Sequence, residues 1–315
     1  MLRFRIAIGV LMMALVHGIG AHGQNGAGDE PGFRLILPVD EVVLTFHAAD
    51  GNGLAVNDLK LEELRVKDDG RLPRKVLAFD LLQDAPIRAG ILIDTSESMA
   101  PLMAGNRAIA LQSAERLLLQ DTDQAFVMEF GYISTLDQDW TNHRDVLAET
   151  IRNVKMGKAN PLGGTALFDA LFRACYYKFG KIDHAASGNF VLLFSDGEDN
   201  ASHTSLSEAV DVCQKANTAV YVFRAPNSAG TFSTGPETLR DLAAETGGRV
   251  FHWDDSAAAI YEDLRTIERE LRNQYRIVYR PAEIKHDGSF HHIELEFPER
   301  VRSIAIRSGY YAPRH

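Results

Sequence analysis

Cysteine is scarce: Cys175 and Cys213 are the two in a chain of 315 residues. Two cysteines exclude a disulfide-dense scaffold, and their spacing fits no zinc site. Both fall in stretches that read as helices, where buried cysteine behaves as a small hydrophobe. The expectation is two buried free thiols, although export would permit a disulfide. Positive charge is also in deficit: 33 Lys and Arg against 43 Asp and Glu give a formal net charge of −10. Such a balance repels nucleic-acid phosphates and anionic membranes, which makes polyanions poor partners. No apolar run reaches the ~20 residues that span a bilayer. Nor is there a Gly-x-Ser-x-Gly elbow, a Walker loop or a Cys/His nucleophile arrangement.

The longest-looking apolar run, Ile6 to Val16, follows Arg3 and Arg5 and precedes the small-residue stretch Ala21-His22-Gly23. This is the layout of a secretory signal (residues 1–23), cut before Gln24. Losing Arg3 and Arg5 takes the net charge from −10 to −12. The mature chain is then expected to be periplasmic or extracellular, without stable membrane insertion. Residues 24–33 are Gly-rich and polar, a flexible lead-in.

Residues 34–86 read as a small β unit. Val42, Val43, Leu44 and Phe46 form a strand that meets the turn Asp50-Gly51-Asn52-Gly53. In a calcium loop glycine would come two places later, and Leu54 would stand at a liganding position, so a plain turn is expected. Leu64-Arg65-Val66, the turn Asp68-Asp69-Gly70 and the run Lys75 to Phe79 supply two more strands. His291 and His292 are adjacent in a later strand, face opposite sides and are expected to be ordinary strand residues.

From Ala89 onward, short apolar runs alternate with amphipathic stretches, as buried parallel strands alternate with crossover helices. Strands are expected at 89–93, 125–130, 190–194, 219–223 and 250–253, with an antiparallel edge at 133–140. Helices are expected near 101–119, 143–154, 165–179, 205–216, 236–245 and 256–274. The last should bury Ile260, Leu264, Ile267, Leu271 and Tyr275 on one face and pair Glu268 with Arg272 on the outside. The fold class is α/β, a doubly wound, mostly parallel, Rossmann-like sheet over residues 87–274. Strands in 275–315 return to an antiparallel pattern, and one discontinuous β-sandwich built with residues 34–86 would unite the two flanks.

Chemistry concentrates at strand ends. Ile91-Leu92-Ile93 runs into Asp94-Thr95-Ser96-Glu97-Ser98, an acid followed by hydroxyls at alternate positions; alone, this is equally a helix cap. Phe190 to Phe194 runs into Ser195-Asp196-Gly197, and Gly163-Gly164-Thr165 opens a helix with a hydroxyl. Two carboxylates and three hydroxyls at one sheet edge, with no Lys or Arg in those loops, call for a cation between them. Hard oxygen donors suit Mg²⁺, Mn²⁺ or Ca²⁺. Gly163-Gly164-Thr165 could also cradle a phosphate, but the neighbouring carboxylates disfavour an unbridged anion.

Asp94-x-Ser96-x-Ser98 with the later Thr165 and Asp196 resembles the metal-ion-dependent adhesion site of von Willebrand factor type A domains. Val66-Lys67-Asp68-Asp69-Gly70, Ser195-Asp196-Gly197-Glu198-Asp199-Asn200 and the closing Gly309-Tyr310-Tyr311-Ala312-Pro313 resemble the related family abundant in acidobacteria. The resemblance implies Ser96, Ser98 and Thr165 as direct metal ligands, Asp94 and Asp196 acting largely through water, and a protein partner's carboxylate completing the shell. Glu97 departs from the pattern, since many members have Gly there; its charge favours the metal and disfavours an acidic partner. The implied role is binding rather than catalysis. The competing readings are a metal-dependent hydrolase, for instance of phosphate esters, and a scaffold whose metal only stabilises the fold.

Overall fold

A computed structural model of the chain describes residues 41–157, 163–181, 188–224, 233–252 and 256–313. The expected signal sequence, the lead-in and Trp253 lie outside the described residues. Three strands come first: β1 (Val42–Ala49), β2 (Arg65–Asp68) and β3 (Lys75–Gln83). The central region then runs β4 (Ile87–Asp94), α1 (Met103–Leu117), β5 (Gln124–Phe130), β6 (Ser134–Thr141), α2 (Arg144–Asn153), α3 (Leu167–Arg173), β7 (Gly188–Ser195), α4 (Leu206–Lys215), β8 (Thr218–Arg224), α5 (Gly235–Thr246), β9 (Val250–His252) and α6 (Ala257–Arg272). The chain closes with β10 (Asn273–Arg280), β11 (Phe290–Glu296), β12 (Ser303–Ile306) and β13 (Gly309–Tyr311).

Strands β4 to β9 form one sheet in the order β6-β5-β4-β7-β8-β9, parallel except for the antiparallel edge β6. β4 and β7 are buried on both faces, which explains their unbroken apolar runs. Helices α1, α2 and α6 cover one face through Ile109, Leu147 and Leu264, while α3, α4 and α5 cover the other through Leu171, Val210 and Leu239. Local signals set the ends of several helices. Ser205 accepts from the Glu208 amide while the Glu208 carboxylate takes the Ser205 amide, a reciprocal cap on α4. Ser256 caps α6, and Gly247, at φ 87°, ends α5 in the left-handed region.

The strands at the two ends of the chain build two further sheets together, β12-β1-β10-β3 and β13-β11-β2. Their shared core includes Leu44, Phe46, Val66, Tyr275, Ile277 and Ile293. Tyr275 stacks on both Phe46 and Phe79 at 5.2 Å. The α/β region therefore leaves this β module after β3 and returns at β10, where Gln83 and Asn273 are directly paired.

Three expectations need correction. The last helix ends at Arg272 and the chain turns at once into β10, so Tyr275 lies in a strand rather than on the helix face. Arg272 is buried: besides a 3.4 Å contact with Glu268, it bonds Asp123 at 2.8 Å, and Asp123 also accepts the Ile87, Leu119 and Gln120 amides. A helical spacing rule predicted only the pairing within α6; the burial comes from a loop far away in sequence. The third correction concerns sulfur. Cys175 and Cys213 form a disulfide, with Cα atoms 4.9 Å apart and both side chains fully buried. The expected helix at 165–179 is in fact α3 followed by a π-helical turn, Ala174–Lys178, and a short 3-10 turn, Phe179–Lys181. Cys175 lies in that π turn, against α4. Burial was expected; which helix faces which is not written in single-helix periodicity.

Candidate metal centre

β4 is the first strand of the sheet, and the chain proceeds from it to β5 on one side and later to β7 on the other. Its carboxyl end is thus where the winding reverses, the crevice in which open α/β sheets bind ligands. Asp94 ends β4 and Asp196 follows β7, so the two carboxylates flank that crevice. Asp94 is fully buried; Thr165 and Asp196 are nearly so, whereas Ser98 opens to solvent.

The Asp94 carboxylate takes the Ser96 amide on Oδ1 at 2.9 Å and the Ser195 hydroxyl on Oδ2 at 2.8 Å. The Ser96 and Ser98 hydroxyls lie 3.2 Å apart. Asp196 Oδ1 accepts the Glu198 amide at 3.2 Å. Thr165 is placed by Asn200, whose Oδ1 accepts the Thr165 amide while the Asn200 and Ala201 amides both donate to the Thr165 carbonyl. Burial pushes the Asp94 carboxyl up to about 6, and the charge of Asp196 adds to the rise against the lowering effect of the Ser96 and Ser195 hydrogen bonds. Among the described residues, no Lys, Arg or His side chain bonds any of these five groups.

Glycines set the loops. Gly164, at φ 103°, passes so close to Asn200 that an added Cβ would lie 2.8 Å from its Oδ1. Gly197 and Gly235 touch backbone to backbone, where a Cβ on Gly197 would lie 2.4 Å from the Gly235 carbonyl oxygen. The start of α5 is thereby seated on the Asp196 loop, and Glu198 adds a bond to the Ser233 hydroxyl and one to the Gly235 amide. The sequence reading assigned no role to Ser195 or Asn200. Ser195 adjoins Asp196 and points inward with a hydroxyl, a signal that was visible; Asn200 acts through a loop crossing that no local pattern reveals.

A second group of potential ligands lies in the β module. Asp68, Asp69 and His291 bring ligand atoms within 4.8 Å of one another. These atoms already serve each other: Asp68 takes the hydroxyls of Tyr279 and Tyr310 on Oδ2 and faces His291 Nδ1 at 2.9 Å, while Lys285 approaches Asp69 at 3.3 Å. With the Asp68 oxygens bonded and a lysine on Asp69, this cluster pins β2 to β10, β11 and β13 through protein groups. His291 is buried and His292 faces outward. The turn at Asp50 is held by its own carboxylate, which accepts the Asn52 and Leu54 amides.

A reversed-winding sheet with a buried carboxylate at its switch point defines an α/β ligand-binding domain. The chain belongs to the von Willebrand factor type A domain family, whose profile matches residues 90–267. No curated protein matches it. Among solved structures, it is similar to BatB from Bacteroides thetaiotaomicron, with 16% identity, a TM-score of 0.47, and coverage of 58% of this chain and 98% of that one. Proximal thread matrix protein 1 from the mussel byssus, in a structure with a zinc-occupied MIDAS motif, gives 15% identity and a TM-score of 0.48 over 65% of this chain and 50% of that one. The von Willebrand factor type A protein from Catenulispora acidiphila gives 14% and 0.46 over 87% and 73%. Among the described residues, no helix is long and apolar enough to cross a membrane.

Proposed function

We propose that this is an exported, non-enzymatic binding protein that holds a divalent cation, Mg²⁺ by default, with Asp94, Ser96, Ser98, Thr165 and Asp196, and uses it to take a partner protein's carboxylate. The observation that carries the reading is the pair of buried carboxylates at the sheet's switch point, to which no Lys, Arg or His side chain bonds among the described residues. Ionised without a positive charge between them, two such adjacent buried carboxylates are costly even with their hydrogen bonds, and a cation between them offsets the cost. The donor set fits: all donors are oxygens, and the 3.2 Å between the Ser96 and Ser98 hydroxyls is close to the ~3 Å that separates neighbouring ligands of an octahedral Mg²⁺ bound at about 2.1 Å. The exposed Glu97 carboxylate adds to the field that favours the cation. The buried disulfide supports an oxidising compartment and hence export.

Non-enzymatic action is supported by the surroundings of the hydroxyls: Ser96 and Ser98 lie 3.2 Å apart, and among the described residues no imidazole or amine bonds either of them. Isothermal calorimetry tests the cation. Wild-type protein should bind one Mg²⁺ or Mn²⁺, and Asp94→Ala should bind none while keeping its circular dichroism spectrum. Capture of a native partner by the Asp94→Ala protein, or by wild type in EDTA, would sink the carboxylate-bridging role.

A further inference from the structure

Thr165 leads into Ala166 and α3, and beside that start a groove of about 520 Å³ opens between α3 and the turn that precedes edge strand β6. Its walls include Tyr132 and Ile133 on one side, and Phe172, Arg173 and Tyr177 on the other. Four of the ten large apolar side chains that lie open among the described residues, Tyr132, Ile133, Tyr176 and Tyr177, belong to these two segments, Ile133 being 71% exposed and Tyr177 51%. Phe172 stacks on Tyr176 at 5.5 Å, and Tyr176 meets Tyr177 edge to face at 4.9 Å, a row of rings that the π turn helps hold outward. π turns inside helices recur at functional sites. The walls are tied together at both ends. The Ala166 amide donates to the Gly131 carbonyl at 2.8 Å, and Lys178 pairs with Asp139 of β6.

Charge decides what this groove suits. Asp169 at its edge is occupied, accepting the His203 and Thr204 amides. Arg173, by contrast, is exposed and makes no hydrogen bond or ion pair among the described residues. In a chain of net charge −10, the groove therefore offers a free guanidinium at one end and adjoins the candidate cation at the other, with aromatic surface between. From Ala166 to Arg173 the helix rises about 10 Å at ~1.5 Å per residue, which an extended chain covers in about three residues at ~3.3 Å each.

We infer that the groove receives an extended segment of the partner protein carrying two carboxylates about three residues apart, one for the metal and one for Arg173, with an apolar or aromatic side chain between them seated against Tyr132, Ile133 and Tyr177. This rests on the metal reading above and specifies its partner. Tyr-rich, arginine-bearing surfaces are where interface energy concentrates.

A display library of random nine-residue peptides, selected on the Mg²⁺-loaded full-length protein, tests it. Wild type should enrich peptides with paired carboxylates bracketing an apolar residue. Arg173→Glu should replace the second carboxylate with Lys or Arg and weaken the wild-type consensus peptide at least tenfold. Ile133→Ser combined with Tyr177→Ser should remove the apolar preference. Both variants alter exposed side chains, and unchanged melting curves verify their folding. The same consensus on wild type and on the groove variants would overturn the groove. So would enrichment of single carboxylates alone, or no enrichment, including a surface that takes glycans instead. If Asp94→Ala lost only the metal-side carboxylate while the Arg173 preference persisted, the groove and the metal would both stand. If Asp94→Ala changed nothing, the metal reading would fail while the groove survived.

Discussion

Asp94 sits where an ionised carboxylate is least stable, fully buried beside a second acid. Its carboxyl, at about 6 rather than 3.8, binds its proton more tightly in the folded chain than in the unfolded one. The sign of the linkage follows: this group's contribution is fully present below about pH 4 and is lost as pH rises through about 6, on the order of 3 kcal/mol by the ~1.36 kcal/mol per unit conversion. A bound cation would offset the loss, because its charge stabilises the ionised carboxylate. Mg²⁺ should therefore raise the melting temperature clearly at pH 7.5 and much less at pH 5, and its affinity should fall roughly tenfold per pH unit below 6. Differential scanning calorimetry with and without Mg²⁺ at the two pH values checks this; an equal increment at both would contradict it. At this scale the sequence singled out Asp94, Ser96 and Ser98 after one strand, Asp196 after another and Thr165 at the opening of a helix, and the structure sets the Asp94 and Asp196 strand ends side by side at the switch point. It did not reveal the task of Asn200, which holds the Thr165 backbone across 35 positions of sequence, whereas Ser195, whose hydroxyl occupies one Asp94 oxygen, adjoins Asp196 and could have been read.

At the scale of elements, patterns of period two and period 3.6 located the central strands and most helices, because burial on one or two faces is what those periods record. They failed where neighbours intervene. The segment after Thr165 has helical periodicity throughout, yet the π turn at Ala174–Lys178 adds a residue per turn and carries Cys175 to Cys213. Closing a separation of 38 residues is worth about 4 kcal/mol in the chain-entropy account of disulfides. The Cys175→Ser, Cys213→Ser double variant should melt well below wild type by that margin, with α3 and α4 loosening together in hydrogen exchange. Full native protection of both helices in the variant would show that packing alone seats them. Arg272 teaches a similar lesson. Read on its own helix it belongs outside; the loop carboxylate Asp123 draws it in.

For the whole molecule, the first three strands depend on the last four. None of β1, β2 and β3 pairs with another of the three: β1 lies between β12 and β10, β3 on β10, and β2 on β11. A chain ending after Arg272 should leave β1, β2 and β3 without their ladder partners, and limited trypsin digestion should cut it at Arg65, Lys67 and Arg71 while sparing the central sheet. Protection of those sites would mean that the early strands fold alone. Composition and patterning announced the strands at both ends; which strand lies beside which depends on long-range register that no local run encodes. The same register has a mechanical consequence. The α/β domain hangs from two strands that pair at Gln83 and Asn273, so tension from a captive partner would peel β3 from β10 one rung at a time rather than shear the whole ladder at once. Before that could begin, side braces must part: Gln214 and Arg307, which bond across from α4 to the closing strands, and the Ser308 amide held by the Ala244 carbonyl. The molecule should thus resist small loads and, past a threshold, yield along the β3–β10 seam, leaving the α/β domain itself folded.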